Sequence, residues 1–214
     1  MNQKIYNKLK HIWPCSDDML SNTFGVKIEQ GGMPLDQLTY KIDEIIMHKF
    51  FSEIWQPRIK KFKYSGLKLV DEINNLKPRA VLDVGCGYNE FKDKIDNLIG
   101  IDPYNQHADI QVKIEDYNTD KKFDVLISLG SINFGSKQKI ELQIAKMYDL
   151  LFPGGKIFFR VNPGIKHAYE LGEWIDFFPW NVLYITELAK KYNFSVLDLR
   201  HDAFERIYFV YSKL

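Results

Sequence analysis

The sequence predicts an α/β fold: a mostly parallel sheet with helices on both faces. Three observations predict it. From residue 79 onward, short apolar runs (80–84, 98–102, 109–114, 123–128, 155–161, 194–200 and 206–212) alternate with helical segments, the pattern of βαβ units. The first two runs form one such unit, Ala80-Val81-Leu82-Asp83-Val84-Gly85-Cys86-Gly87-Tyr88-Asn89 and then Ile99-Gly100-Ile101-Asp102. It consists of a strand, a glycine turn, a short helix, a second strand and a terminal acid about 20 residues after the first. The last two runs are joined only by His201 to Glu205. A parallel crossover needs about a dozen residues or more, so this pair must be antiparallel.

Residues 1–34 are mixed and partly aromatic, with turn signals at Trp13-Pro14 and Gly31-Gly32-Met33-Pro34. Residues 35–77 read as helix. Leu38, Ile42, Ile45, Ile46, Phe50 and Ile54 recur at steps of three and four and make one apolar stripe. Pro57 breaks or kinks it. A second helical stretch turns Leu67, Val70 and Ile73 inward and ends at Lys77-Pro78. We divide the chain into an N-terminal arm and helical cap, 1–77, and a Rossmann-like α/β domain, 78–214. Later in the chain, Ile140, Ile144, Met147, Leu150 and Leu151 mark a further helix, and Phe152-Pro153-Gly154-Gly155 stops it before the run 155–161.

The chain has 214 residues, 45% of them hydrophobic, and a net charge of +1. That suffices for a substantial core and provides no global field towards nucleic acid or an anionic surface. No apolar run approaches the ~18–20 residues of a membrane span, and the N-terminus lacks the apolar core of a signal peptide. Cys15 and Cys86 are far apart, so a reduced, cytoplasmic setting is expected. No Cys/His spacing matches a zinc pattern, and no metal is expected.

Val81-Leu82-Asp83-Val84-Gly85-Cys86-Gly87, Asp102, Phe123-Asp124-Val125-Leu126-Ile127-Ser128, Leu151-Phe152-Pro153-Gly154-Gly155 and the closing antiparallel pair occur in this order. Together they make residues 79–214 resemble the class I S-adenosylmethionine-dependent methyltransferases. The resemblance implies a seven-stranded sheet in the order 3-2-1-4-5-7-6, with strand 7 antiparallel. It also implies S-adenosyl-L-methionine as cofactor, with S-adenosyl-L-homocysteine as product. The competing assignment is a nicotinamide-binding unit, whose fingerprint is G-x-G-x-x-G. Here Glu90 stands where the third glycine would be. S-adenosylmethionine has no pyrophosphate to place there, which favours it.

The candidate cofactor residues follow from these motifs. Asp102, at the end of the second strand, would accept the ribose hydroxyls. Gly85 and Gly87 would give backbone access to the methionine arm, with Cys86 between them as a small packing residue. Asp83 would brace the turn or reach the ammonium through water. Pro103 and Tyr104 would pack on adenine. The resemblance places an adenine-contacting acid in Lys113-Ile114-Glu115-Asp116, but Lys113 aligns there. Ile114 and Glu115 (or Asp116) would then supply the contact from the adjoining turn. After the fourth run, the resemblance gives Leu129 and Gly130 backbone roles along the methionine arm and makes Phe134 a wall. The segment 103–108 is too short for the helix usual after strand 2.

The acceptor side is less legible. His167 could serve as a general base, and the aromatic stretch Trp174–Trp180 could line the pocket or pack the helical cap. Arg58-Ile59-Lys60-Lys61-Phe62-Lys63 is a basic cluster that reads as a solvated face or a contact for a phosphate-bearing partner. The resulting expectation is transfer of a methyl group to an O or N nucleophile of a small molecule, a sugar or a side chain. No Asp/Asn-Pro-Pro-Tyr/Phe and no Pro-Cys follows the fourth run, which argues against a duplex-DNA substrate. The alternative is a non-catalytic S-adenosylmethionine-binding or structural module on the same fold. Oligomeric state is not legible in the sequence.

Overall fold

The structure is a computed structural model that describes residues 1–166 and 168–214. The chain divides into two compact units, Met1–Gln56 with Lys166–Phe177, and Pro57–Ile165 with Phe178–Leu214.

The first unit is helical: α1 (Gln3–Ile12), α2 (Asp17–Phe24) and α3 (Leu35–Lys49), which widens into a π turn over Phe50–Ile54. The Asn2 side chain caps α1 by accepting from the amides of Lys4 and Ile5. Its Nδ2 donates to Asp43 Oδ1 on α3 (2.9 Å) and to Trp174 O (2.7 Å). One residue thus satisfies two orphan helix donors and joins three segments. Ser16 caps α2, which ends at left-handed Gly25. Neither helix is legible in the sequence, because each buries only two side chains, Ile5 and Leu9, or Leu20 and Phe24. That is too short a stripe to register as periodicity.

The second unit holds the sheet: β1 (Val81–Val84), β2 (Leu98–Ile101), β3 (Phe123–Leu129), β4 (Leu151–Val161), β5 (Phe194–His201) and β6 (Ile207–Lys213). Its helices are α4 (Leu69–Asn75), α5 (Lys137–Leu150) and α6 (Val182–Lys191). The strand order is β2-β1-β3-β4-β6-β5. β1 to β4 pair in parallel, and β6 runs antiparallel to both β4 and β5, as the short final connection requires. Leu82, Val84, Leu126, Ile157 and Phe159 pack towards α5 and α6. Val81, Val125, Ile127, Phe158 and Tyr208 pack towards α4, Phe91 and Ile95.

Three expectations are corrected. Among the described residues the sheet has six strands, not seven, so its count and order differ from the expected 3-2-1-4-5-7-6. Residues 109–114 add only an isolated parallel bridge, Ile110 to Ile101. The chain folds straight back after Asp102, with the amides of Asp109 and Ile110 donating to Gly100 O, so the segment has no length for a crossover. The glycine turn leads into turns rather than a short helix, since Asn89, Asp93 and Asn97 are left-handed (φ 54°, 61° and 57°) and break any helical run. The Pro153-Gly154 turn does not precede the fourth strand but lies inside it. The β3–β4 register jumps from Phe123–Leu151 to Val125–Lys156, which marks a bulge.

Candidate functional site

β1, β2 and β3 end on the same edge of the sheet, and the chain leaves β1 in opposite directions to reach its two neighbours. This is the switch point where open α/β sheets bind ligands.

The turn after β1 is held by two amides, Gly85 N (2.7 Å) and Cys86 N (3.0 Å), donating to Ile101 O. The two glycines have different surroundings. A Cβ on Gly85 would lie 2.2 Å from Ser131 Cβ, whereas one on Gly87 would meet nothing within 4 Å. Gly85 therefore admits the loop after β3, while Gly87 faces open space. The Gly87 amide donates to Asp102 Oδ2 at 3.0 Å.

Asp102 is buried. Its Oδ1 accepts from the amides of Tyr104 (2.8 Å) and Asn105 (2.9 Å). With Gly87, three of about four carboxylate lone-pair positions are used, which leaves one acceptor position on Oδ2. Asn105 is itself buried. Its Oδ1 accepts from His107 N (3.0 Å), and its Nδ2 has no partner among the described residues. An unpaired donor thus stands three residues after the acid. Asn105 is absent from the residues expected from sequence, although Asp102-Pro103-Tyr104-Asn105 has the residue types of an Asx turn. Asn89 Nδ2 donates to His107 O (3.1 Å), and the Tyr88 ring lies tilted against His107 at 5.6 Å, tying the turn after β1 to the loop after β2.

Asp83 is buried on β1 opposite Gly100. No described group donates to its carboxylate. Burial, with the Asp102 charge adding to it, pushes its pKa up to about 8. The Cys86 thiol is also pushed up, first by burial and then by Asp83, Asp102 and Asp109, so it stays protonated and is no nucleophile. Both cysteines are free.

Beyond β3, Gly130 and Asn133 set the loop. Asn133 Nδ2 donates to Gly130 O (2.9 Å), and its Oδ1 accepts from Asn162 N (2.8 Å) past β4. Leu129, Gly130 and Phe134 are half-buried at this edge, as are Pro103 and Tyr104 after β2. Ile114 is buried in the core. Glu115 accepts from Gln143 of α5 at 2.9 Å, which commits its side chain towards that helix. Trp174 packs against Phe24 in the first unit at 4.9 Å. Trp180 is fully buried in the sheet core, with its indole N–H on Ile132 O. His167 lies outside the described residues. Among the described residues no group of three or more His, Cys, Asp or Glu could hold a metal, and no helix is long and apolar enough to cross a membrane.

No family model and no curated protein matches the chain. Solved structures do match it. The 1,6-didemethyltoxoflavin-N1-methyltransferase of Burkholderia thailandensis, crystallised with its substrate and S-adenosylhomocysteine, is 14% identical, with a TM-score of 0.54 over 69% of this chain and 77% of its own. CalS10 of Micromonospora echinaspora, an amino pentose methyltransferase crystallised with S-adenosylmethionine, is 14% identical, with a TM-score of 0.53 over 69% and 89%. An S-adenosylmethionine-dependent methyltransferase from Clostridium acetobutylicum is 15% identical, with a TM-score of 0.51 over 68% and 89%. The chain has the fold of the class I S-adenosylmethionine-dependent methyltransferases.

Proposed function

We propose that this chain is an S-adenosylmethionine-dependent methyltransferase whose acceptor is an O or N nucleophile on a small molecule, a sugar or a side chain. The observation that carries it is the open backbone at Gly87, bonded to Asp102 and flanked by the orphaned Asn105 amide. This donor and acceptor pair suits a ribose edge. Asp102 takes one hydroxyl through its remaining lone pair, and Asn105 donates to a ribose oxygen. Pro103 and Tyr104 flank the adenine, and the turn at Ile114 and Glu115, whose side chains are engaged in the core and with α5, meets its further side through backbone groups. Gly85, Cys86 and Gly87 bring the backbone to the methionine arm, Leu129 and Gly130 offer backbone groups to it, and Phe134 walls it. Asp83, a buried carboxyl that accepts no hydrogen bond among the described residues, suits the ligand's cationic end. When bound, S-adenosylmethionine supplies an electrophilic methyl group. The protein's part is to orient the acceptor and exclude water, and His167 is proposed to take the acceptor's proton. The N-nucleophile option draws support from the similarity to the Burkholderia enzyme, which is named as an N1-methyltransferase. A cytoplasmic setting is supported by the two free cysteines.

The second reading, a cofactor-binding module without transfer, draws on Asp102 being largely occupied and Glu115 being committed to α5. Calorimetric titration with S-adenosylmethionine and with NAD tests the shared part. Heats are expected for the first only, and Asp102→Ala should remove most of them. Heats from NAD alone would overturn both readings. Formation of S-adenosylhomocysteine with candidate acceptors separates enzyme from module.

A further inference from the structure

A second cluster occupies the same sheet beyond β4. Arg160 is 8% exposed. Its Nε donates to Asp202 Oδ2 (3.1 Å) and its Nη2 to Ala203 O (2.8 Å). Its guanidinium lies 3.8 Å from the Phe62 ring centroid. Asp202 also accepts from the amides of Lys63, Tyr64 (3.1 Å) and Ala203 (2.7 Å) and from the Ser65 hydroxyl. Five donors fill a group with about four lone-pair positions, so Asp202 has no capacity for another cation.

Arg206 is a second buried cation with no such partner. It is 9% exposed, and its one hydrogen bond among the described residues is Nη1 to Phe204 O at 3.0 Å. Nε and Nη2, the parallel fork of the guanidinium, bond to no described residue. Arg206 makes no ion pair among the described residues, and Glu205 beside it is exposed. Tyr208 pairs with Arg160 across β4 and β6. Arg206 is two residues earlier in extended backbone, so both arginines lie on one face. Burial first, with Arg206 contributing, lowers the Arg160 pKa to about 10, and burial also lowers that of Arg206 against the opposing charge of Glu205. Two largely buried cations face one saturated carboxylate, with the exposed Glu205 acting on Arg206 only beyond ion-pair distance, an imbalance that an added anion would relieve. The segment that caps this cluster through Phe62, Tyr64 and Ser65 begins with exposed Arg58, Lys60, Lys61 and Lys63, the basic run that the cofactor site does not use.

We propose that Arg206, with Arg160 beside it, forms a phosphate-binding site at the β4–β6 edge, fed by the basic turn 58–63, and that its ligand carries a phosphate group. The free Nε/Nη2 fork matches two oxygens of one anion, and the surplus of cations favours a dianion over a carboxylate. This site stands independently of the methyltransferase reading and is tested without S-adenosylmethionine.

The test is thermal unfolding of the full chain in increasing sodium phosphate, sodium acetate and sodium chloride at matched ionic strength. Phosphate should raise the midpoint saturably above chloride, while acetate tracks chloride. Arg206→Met should lose the phosphate response and unfold at a higher temperature than the wild type in chloride alone. Arg206→Lys, which keeps the charge without the fork, should need several-fold more phosphate. No phosphate-specific rise in the wild type would overturn the proposal, as would an undiminished rise in Arg206→Met. Should Arg206→Met not fold, a wild-type phosphate response in Arg206→Lys overturns it. An equal response to acetate would overturn the phosphate assignment.

Discussion

Gly85 and Gly87 are both left-handed (φ 68° and 55°), yet substitution should separate them. Gly85→Ala adds the left-handed cost for an L residue and drives a Cβ to 2.2 Å from Ser131 Cβ. A loss of roughly 2–5 kcal/mol is expected in urea unfolding. Gly87→Ala meets open space and should cost only about 1–2 kcal/mol, while S-adenosylmethionine affinity falls because the new methyl occupies the ligand's side. Equal destabilisation by the two changes would refute this division of labour. Asp83 supplies a pH signature. Its carboxyl stays protonated up to about pH 8 in the folded chain, against an ordinary value of 3.8. Between these values the folded state holds the extra proton, so stability is full below about pH 4 and declines as pH rises towards 8. Asp83→Asn should abolish that decline, giving a variant more stable than the wild type at pH 8. A cation bound beside Asp83 favours its ionised form, so binding S-adenosylmethionine to the wild type at pH 7 should release a proton, seen as buffer-dependent heat. A wild-type stability that rises between pH 5 and 8 alongside an unchanged slope in Asp83→Asn would refute the assignment. Asp83 and Asp102 were legible because each sits at a fixed place relative to an apolar run. Asn105 was not, because an unpaired amide is a property of the folded loop.

At the scale of elements, the loops after β3 and β4 act as one piece through Asn133, which joins Gly130 O to Asn162 N and receives Phe178 N on its own carbonyl. Asn133→Ala leaves the buried Asn162 amide without its acceptor, at an expected cost of about 1–3 kcal/mol. Faster amide exchange should appear at residues 130–134 and 162–165 together. Exchange that quickens in one loop alone would show them to be uncoupled. The parallel strands were readable because burial on both faces makes continuous apolar runs such as Val81–Val84. The strand expected at 109–114 failed because apolar character does not supply crossover length. The helix after Gly87 failed because three left-handed residues, Asn89, Asp93 and Asn97, carry no strong signal in a single sequence. The Pro-Gly-Gly turn was seen, but a bulge inside a strand and a turn before one look alike until register is known.

For the whole molecule, the chain's contacts gather into a helical unit and a sheet unit, and every residue of the proposed nucleoside grip belongs to the second. A chain of two units need not unfold in one step, so a single melting midpoint is a blunt readout of ligand binding. Linkage gives the size of the effect. Ligand at 100 times its dissociation constant stabilises the state that binds it by about 2.7 kcal/mol. Hydrogen exchange resolves where that free energy is felt. S-adenosylmethionine at saturation should slow exchange in 85–89, 102–105 and 129–134, the ends of β1, β2 and β3. β5 and β6 should change little, because they close the far side of the sheet. NAD at the same concentration should leave all three segments unchanged. Protection confined to α1–α3, or shared equally by NAD, would remove the switch point as the binding site. Protection at 85–89 and 102–105 without 129–134 would keep the nucleoside grip and remove Leu129, Gly130 and Phe134 from the methionine arm.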